Sequence, residues 1–275
     1  MRLGIGLPTT TPAASGELVL EWARRAETRP FSSLGVLDRL VYDSYDPLVA
    51  LAAAAGVTSR VRLATMVVVG PLRNHAVLAK QAASLDALSG SRLTLGLAVG
   101  ARVEDYVAAG IESRGRGRRF DEQLAYLRTY RDTTAIGPHA PGPELLVGGL
   151  SDEAFTRVAR YADGYVHGGG PPRAFARAAA SVRAAWSDLG RRGEPALWGQ
   201  AYFALGRSDA GAAYLRDYYA FTGPFAEKVA AANLTSPAAI RDLVRGYEEE
   251  GCDELVLLPT VSDLEQLDRL ADAIG

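Results

Sequence analysis

Short apolar, β-branched runs alternate along this chain with longer segments in which apolar residues recur every three to four positions. The short runs predict strands at Leu3–Leu7, Leu34–Leu37, Val61–Val69, Leu93–Val99, Glu144–Val147, Tyr165–His167, Ala196–Leu205 and Glu254–Leu258. Between them the pattern is helical. Val19, Trp22, Ala23 and Ala26 fall at i, i+3, i+4 and i+7, as do Phe155, Val158, Ala159 and Ala162. Ile240, Leu243, Val244 and Tyr247 repeat it. Asn74 and Ser236-Pro237 offer helix starts, Ser262 with Glu265 reads as a capping box, and Gly251 stands just past a helix end.

Eight strand–helix alternations predict an α/β fold of the (β/α)8 TIM-barrel type, with residues 1–275 as one barrel domain. A doubly wound open sheet is the alternative. It would carry a GxGxxG loop after the first strand, where this chain reads Gly4-Ile5-Gly6-Leu7-Pro8-Thr9. Two segments exceed the repeat, Ala101–Arg119 after strand four and Tyr214–Ala232 after strand seven. Both follow strands, so both are expected on the C-terminal face, where barrels place their ligands.

Charge narrows the function. With 30 basic against 32 acidic residues the chain lacks the electrostatic footprint of a nucleic-acid binder. Only Lys80 and Lys228 are lysines; the other basic residues are arginines, a habit expected of a GC-rich genome. The single Cys252 excludes an internal disulfide, and His75, His139 and His167 lack metal-ligand spacing. No apolar run is long enough to span a bilayer and none reads as a signal peptide. The expectation is a soluble, cytoplasmic protein with neither metal, membrane nor nucleic-acid partner.

Candidate chemistry clusters just after the strands. Gly148-Gly149 leads into a helix capped by Ser151, and His167 precedes Gly168, Gly169 and Gly170, which lead into a helix begun by prolines. Exposed amides at such helix starts attract phosphate, although glycines also serve simply to make tight turns. Asp38 could orient a cofactor ring or take a proton, or form a salt bridge to Arg39. His167 is open to a phosphate-contacting or a structural reading, and Arg73 and Arg102 to anion binding or to a place as rim charges. Arg114–Arg119 reads as a solvated loop. Gln200 and Tyr202 share one face of strand seven, and an inward face would aim both at the mouth. Neither a Ser-His-Asp order, a CxxC nor a P-loop is present.

The ordered series Tyr45–Leu51, Val57–Thr65, Pro71-Leu72-Arg73, Leu78–Asp86, Leu88–Leu93, Gly117–Glu122, Leu146–Gly149, Ala159–Gly164 and Gly251–Pro259 resembles the bacterial luciferase-like flavin-dependent oxidoreductases nearly end to end. The resemblance implies a homodimeric barrel that binds FMN, reduced FMN or coenzyme F-420 at its C-terminal face. It also implies a non-proline cis peptide at or beside Met66-Val67, backing the cofactor ring, and a phosphate site at Gly148-Gly149 with Gly168–Gly170 close by. Two positions depart from the family pattern. Arg39 stands where many members have histidine, and Val99, beside Gly100, stands where luciferase-type members place a phosphate-binding arginine. An arginine stays charged and cannot shuttle protons. The expected function is a two-component monooxygenase using reduced FMN, oxygen and a small organic substrate, with a flavin or F-420 reductase as partner. An F-420-dependent hydride transferase is the alternative, and a non-catalytic flavin-binding or partner subunit is the rival of another class. Asp38, Arg39, Gln200 and Tyr202 are the expected catalytic side chains. Met66, Val67, Val99, Gly100, Gly148, Gly149, His167 and Gly168–Gly170 are the expected cofactor contacts.

Overall fold

The computed structural model describes residues 1–138 and 141–275, with the side chain of Arg131 left aside; His139 of the histidine survey lies outside the described residues. Among the described residues nine parallel strands are present: β1 (Arg2–Gly6), β2 (Ser33–Val36), β3 (Arg62–Thr65), β4 (Val68–Val69), β5 (Leu93–Ala98), β6 (Glu144–Gly148), β7 (Gly164–His167), β8 (Ala196–Phe203) and β9 (Glu254–Pro259). Their order runs β3-β2-β1-β9-β8-β7-β6-β5-β4, and β3 also pairs with β5, which closes the ring. The expected third strand is therefore split. Its halves, β3 and β4, flank a cis Met66-Val67 peptide, so the barrel has eight staves, as the alternation predicts.

Helices α1 (Gly16–Glu27), α2 (Pro47–Ala55), α3 (His75–Leu88), α4 (Val103–Ala108), α5 (Arg116–Thr133), α6 (Asp152–Tyr161) and α7 (Pro172–Asp188) follow in chain order. After β8 come α8 (Ser208–Tyr218), α9 (Phe225–Ala231) and α10 (Pro237–Glu249), and α11 (Glu265–Ile274) closes the chain. The predicted faces of α1 and α6 are buried, and Ile240 and Tyr247 anchor α10. Asn74, Ser151 and Ser236 accept the expected first-turn amides. The capping box at Ser262 does not form. Its hydroxyl donates instead to the Pro12 carbonyl, and Asp263 Oδ1 accepts from Glu265 N–H. The second insertion also begins earlier than expected, because all of α8 belongs to it. Arg116–Arg119, expected in a loop, forms the first turn of α5.

Strand periodicity sorts the barrel walls. Leu145, Val147, Leu197 and Phe203 point outward into the helix layer, whereas Leu146, Trp198, Tyr202, Val256 and Leu258 fill the interior. Small residues make room for the large ones. A Cβ on Gly35 would meet Val256 Cγ1 at 2.7 Å and Met66 Cγ at 3.1 Å, so glycine is needed there by close approach. The upper end is covered on one side by α8, whose Tyr214, Leu215 and Tyr218 belong to the same buried cluster as the barrel interior. Tyr214 Oη lies 2.6 Å from Thr10 Oγ1 in the loop after β1, which fixes that cover to the barrel rim. Among the described residues no helix is long and apolar enough to cross a membrane.

Candidate active site

Strand ends bring most of the expected residues to one face of the barrel, in two groups. The first lies after β2 and β4. Asp38 is buried and accepts from Val69 N–H at 2.8 Å and from both Arg73 guanidinium nitrogens at 2.6 and 3.2 Å. Its salt-bridge partner is thus Arg73, not Arg39. Arg73 also reaches Asp46 at 3.1 Å, and Arg102 pairs with Asp105 at 2.9 Å and donates to the Asp38 carbonyl at 2.7 Å. Neither arginine is a free anion ligand or a rim charge.

Arg39 joins the two insertions. Its guanidinium donates to the Tyr218 carbonyl of α8 at 2.7 Å and to the Glu104 carboxylate of α4 at 2.8 Å. It also lies over the Tyr42 ring at 4.4 Å and the Tyr218 ring at 5.3 Å, an arrangement that favours a cation. The Asp38-Arg39 pair is therefore tied into a network, with every carboxylate oxygen of Asp38 already accepting.

The second group spans β4 to β8 and is more open. Val67, Ala98, Val99, Gly100 and Gly149 are partly exposed, and Gly168 is exposed. The Val99 carbonyl accepts from the Tyr106 hydroxyl of α4, and Gly100 turns the chain with φ +71°. A Cβ built on the buried Gly148 would lie 3.3 Å from the Val166 carbonyl oxygen, 3.7 Å from Val67 Cγ1 and 3.8 Å from Ala98 Cβ, so a side chain there would fill the narrow floor between neighbouring strands. Met66 packs into the barrel interior below that floor. Gly148 pairs with Val166 across β6 and β7, which places the two glycine loops side by side.

The loops differ in detail. Gly149 has φ +140°, and a Cβ there would meet Ala154 Cβ at 2.6 Å, so only glycine keeps this turn. The helix it enters carries Asp152 and Glu153 in its first turn, and burial-free hydrogen bonding to Ser151 holds the Glu153 carboxyl below its usual range. The Gly168–Gly170 loop enters α7, whose first turn has no acid, and a Cβ on Gly168 would meet nothing within 4 Å.

His167 turns away from the barrel axis. Its ring packs edge-on against Phe175 at 5.8 Å, and Nδ1 lies 3.3 Å from the Tyr165 hydroxyl, which itself donates to the Gly149 carbonyl at 2.8 Å. Burial lowers its pKa, so the imidazole is neutral at physiological pH, and Nε2 is buried with no partner among the described residues.

Gln200 and Tyr202 both face inward, as their alternation predicts. Gln200 is buried, donates weakly to the Gly168 carbonyl at 3.3 Å, and leaves Oε1 without a partner. Tyr202 Oη lies 2.7 Å from Tyr219 Oη of the second insertion. Burial raises both pKa values, with neighbouring tyrosines adding to the effect at Tyr202, so both phenols stay protonated. Two hydroxyls sharing one hydrogen bond leave one O–H free to donate. Tyr219 lies within the second insertion, and nothing in the local sequence pattern says it folds back onto Tyr202.

These features define a TIM barrel with a polar, glycine-rich mouth at its C-terminal end. The family model for luciferase-like monooxygenases matches residues 1–251, and the chain belongs to that family. An uncharacterised protein of Mycobacterium tuberculosis is 33% identical over 207 residues, covering 62% of this chain and 71% of that protein. A phthiodiolone/phenolphthiodiolone dimycocerosates ketoreductase of Mycobacterium bovis is 31% identical over 173 residues, covering 54% of this chain and 44% of that enzyme. Among solved structures, an F-420-dependent secondary alcohol dehydrogenase in complex with an F-420–acetone adduct superposes with TM-score 0.84 at 15% identity, covering 99% of this chain and 97% of that one. The monooxygenase RslO1 from Streptomyces bottropensis gives 0.75 at 21% identity, covering 100% and 96%. These likenesses establish the shared barrel.

Proposed function

We propose that this protein is an oxidoreductase that binds a flavin-type ring in the mouth of the barrel and transfers a hydride between coenzyme F-420 and a small carbonyl or alcohol substrate. The observation that carries this reading is the Tyr202–Tyr219 hydroxyl pair, a neutral proton donor held beside Gln200 on the inner face of β8. The likeness to the F-420-dependent alcohol dehydrogenase and the named ketoreductase relative supports it.

The residues present fit such a cofactor. The floor at Gly148 is one a Cβ would fill, and the buried Gln200 Oε1 is an acceptor left for a ring N–H. Val67, Ala98 and Gly148 would hold the ring, and the Gly148–Ser151 and Gly168–Gly170 loops its phosphate. When bound, the reduced deazaflavin supplies a hydride. The protein then has two tasks. It covers one side of the mouth with α8, whose tyrosines pack into the barrel interior, and it places a phenolic proton where a substrate oxygen gains negative charge. Tyr202 would donate that proton from Oη, and Tyr219 would hold Tyr202 in place, pass its own proton along the shared hydrogen bond and recover one from solvent, to which it is partly exposed.

The second reading is a reduced-FMN monooxygenase, favoured by the family description and by the full-length superposition on RslO1. Absorbance titration with F-420 and with reduced FMN, followed by oxygen consumption during turnover, tests both. Tight F-420 binding and oxygen-independent turnover are expected; turnover that consumes oxygen with FMN establishes the second reading. Binding of neither cofactor at high micromolar concentration overturns both and leaves a non-catalytic barrel.

A further inference from the structure

Beside the tyrosine pair a cavity of about 460 Å³ opens between the Gly168–Pro171 loop, β8 and the second insertion. Its walls are mostly hydrocarbon, from Phe225, Val229, Ala232 and Leu243, and Tyr202 and Tyr219 stand at its inner side. One charged residue lines it, Lys228 of α9, and no carboxylate does. Glu227, next in sequence, is taken by Arg216 at 2.9 and 3.0 Å. Among the described residues Lys228 takes part in no ion pair, whereas Lys80 donates to the Gly137 carbonyl at 2.6 Å. An ammonium without a counter-ion on the rim of an apolar cavity is complementary to a ligand with a hydrocarbon body and one negative end.

We infer that the substrate of this site is an amphipathic organic acid, its carboxylate at Lys228 and its hydrocarbon part in the cavity, with the oxygen-bearing carbon toward Tyr202. The volume falls toward the lower end of the range of about 300–1,000 Å³ typical of small-molecule pockets, which limits the class to medium-length chains or one or two rings. The inference rests on the reading of the mouth as an oxidoreductase site, but its first test does not need the cofactor.

Calorimetric binding of decanoate and of 1-decanol to the full-length, cofactor-free protein separates the two contributions. Decanoate is expected to bind about fivefold more tightly than the alcohol, the most that an exposed ion pair supplies. Lys228→Gln should erase that difference and leave decanol binding unchanged, Lys228→Arg should restore it, and Phe225→Ala should weaken both ligands. Affinity for F-420 or FMN should be the same in Lys228→Gln as in the parent. Equal binding of acid and alcohol by the parent, a preference that survives Lys228→Gln, or binding of neither ligand overturns the assignment. Loss of cofactor binding by the parent would instead overturn the proposed function, and the two failures are read in separate titrations.

Discussion

Asp38→Asn decides whether the acid after β2 is there for the chemistry or for the fold. In the parent the carboxylate accepts from Val69 N–H and from two Arg73 nitrogens, and it is buried. An amide has one acceptor oxygen and no charge, so the ion pairing of Arg73 falls to the half-exposed Asp46 at 3.1 Å, with the Val69 carbonyl at 3.4 Å as a further contact. Removing one partner of a fully buried pair costs about 3–5 kcal/mol. The surviving Asp46 contact and the partial exposure of Arg73 reduce this to about 2 kcal/mol. For a chain of this size such a loss lowers Tm by roughly 4–8 °C. Urea unfolding followed by the fluorescence of the buried Trp22, Trp186 and Trp198 gives the midpoint and slope. The slope should not change. A double-mutant cycle with Arg73→Gln should return a coupling of about 1–2 kcal/mol. A variant within about 0.5 kcal/mol of the parent, yet devoid of turnover, would refute the structural role and restore Asp38 as a proton acceptor.

Tyr202→Phe should lower kcat by about a hundredfold or more while cofactor affinity and midpoint stay put; Tyr219→Phe should show a smaller loss, since it acts through Tyr202. Steady-state kinetics with a fixed cofactor check both. Gly168→Asp, which adds a carboxylate into open space without backbone strain, should weaken cofactor binding by at least tenfold if the loop holds phosphate. It is a better probe than Gly149→Asp, where φ +140° and Ala154 would disturb the turn itself. For His167 the folded-state pKa lies below the unfolded value of about 6.5, so the unfolded chain takes up more protons as pH falls. Stability should therefore be complete above about pH 6.5 and decline below it, and His167→Gln should flatten that slope in urea melts recorded from pH 7 to 5.

The barrel was legible because period-2 and period-3.6 patterns are local, and each strand–helix unit repeats them. The shared inward face of Gln200 and Tyr202 was legible by the same rule, since alternation fixes which strand residues lie together. What failed was long-range pairing. Asp38 and Arg39 are adjacent in sequence, yet one pairs with Arg73 and the other with Glu104 and Tyr218, partners set by how loops cross the rim. Ser262 has the spacing of a capping box, but the Pro12 carbonyl competes for its hydroxyl. The inward turn of Tyr219 likewise depends on the insertion folding back over β8, for which no periodicity exists.

The scarcity of lysine has a practical consequence. Besides the amino terminus, which is held by Glu248 at 3.0 Å, the chain offers amine-directed reagents only two side chains, and Lys80 is engaged with Gly137. A fluorophore or a photo-crosslinker delivered as an active ester will therefore settle chiefly on Lys228. Without a single engineered cysteine, the natural sequence provides an optical reporter at the cavity's edge, placed to register what enters.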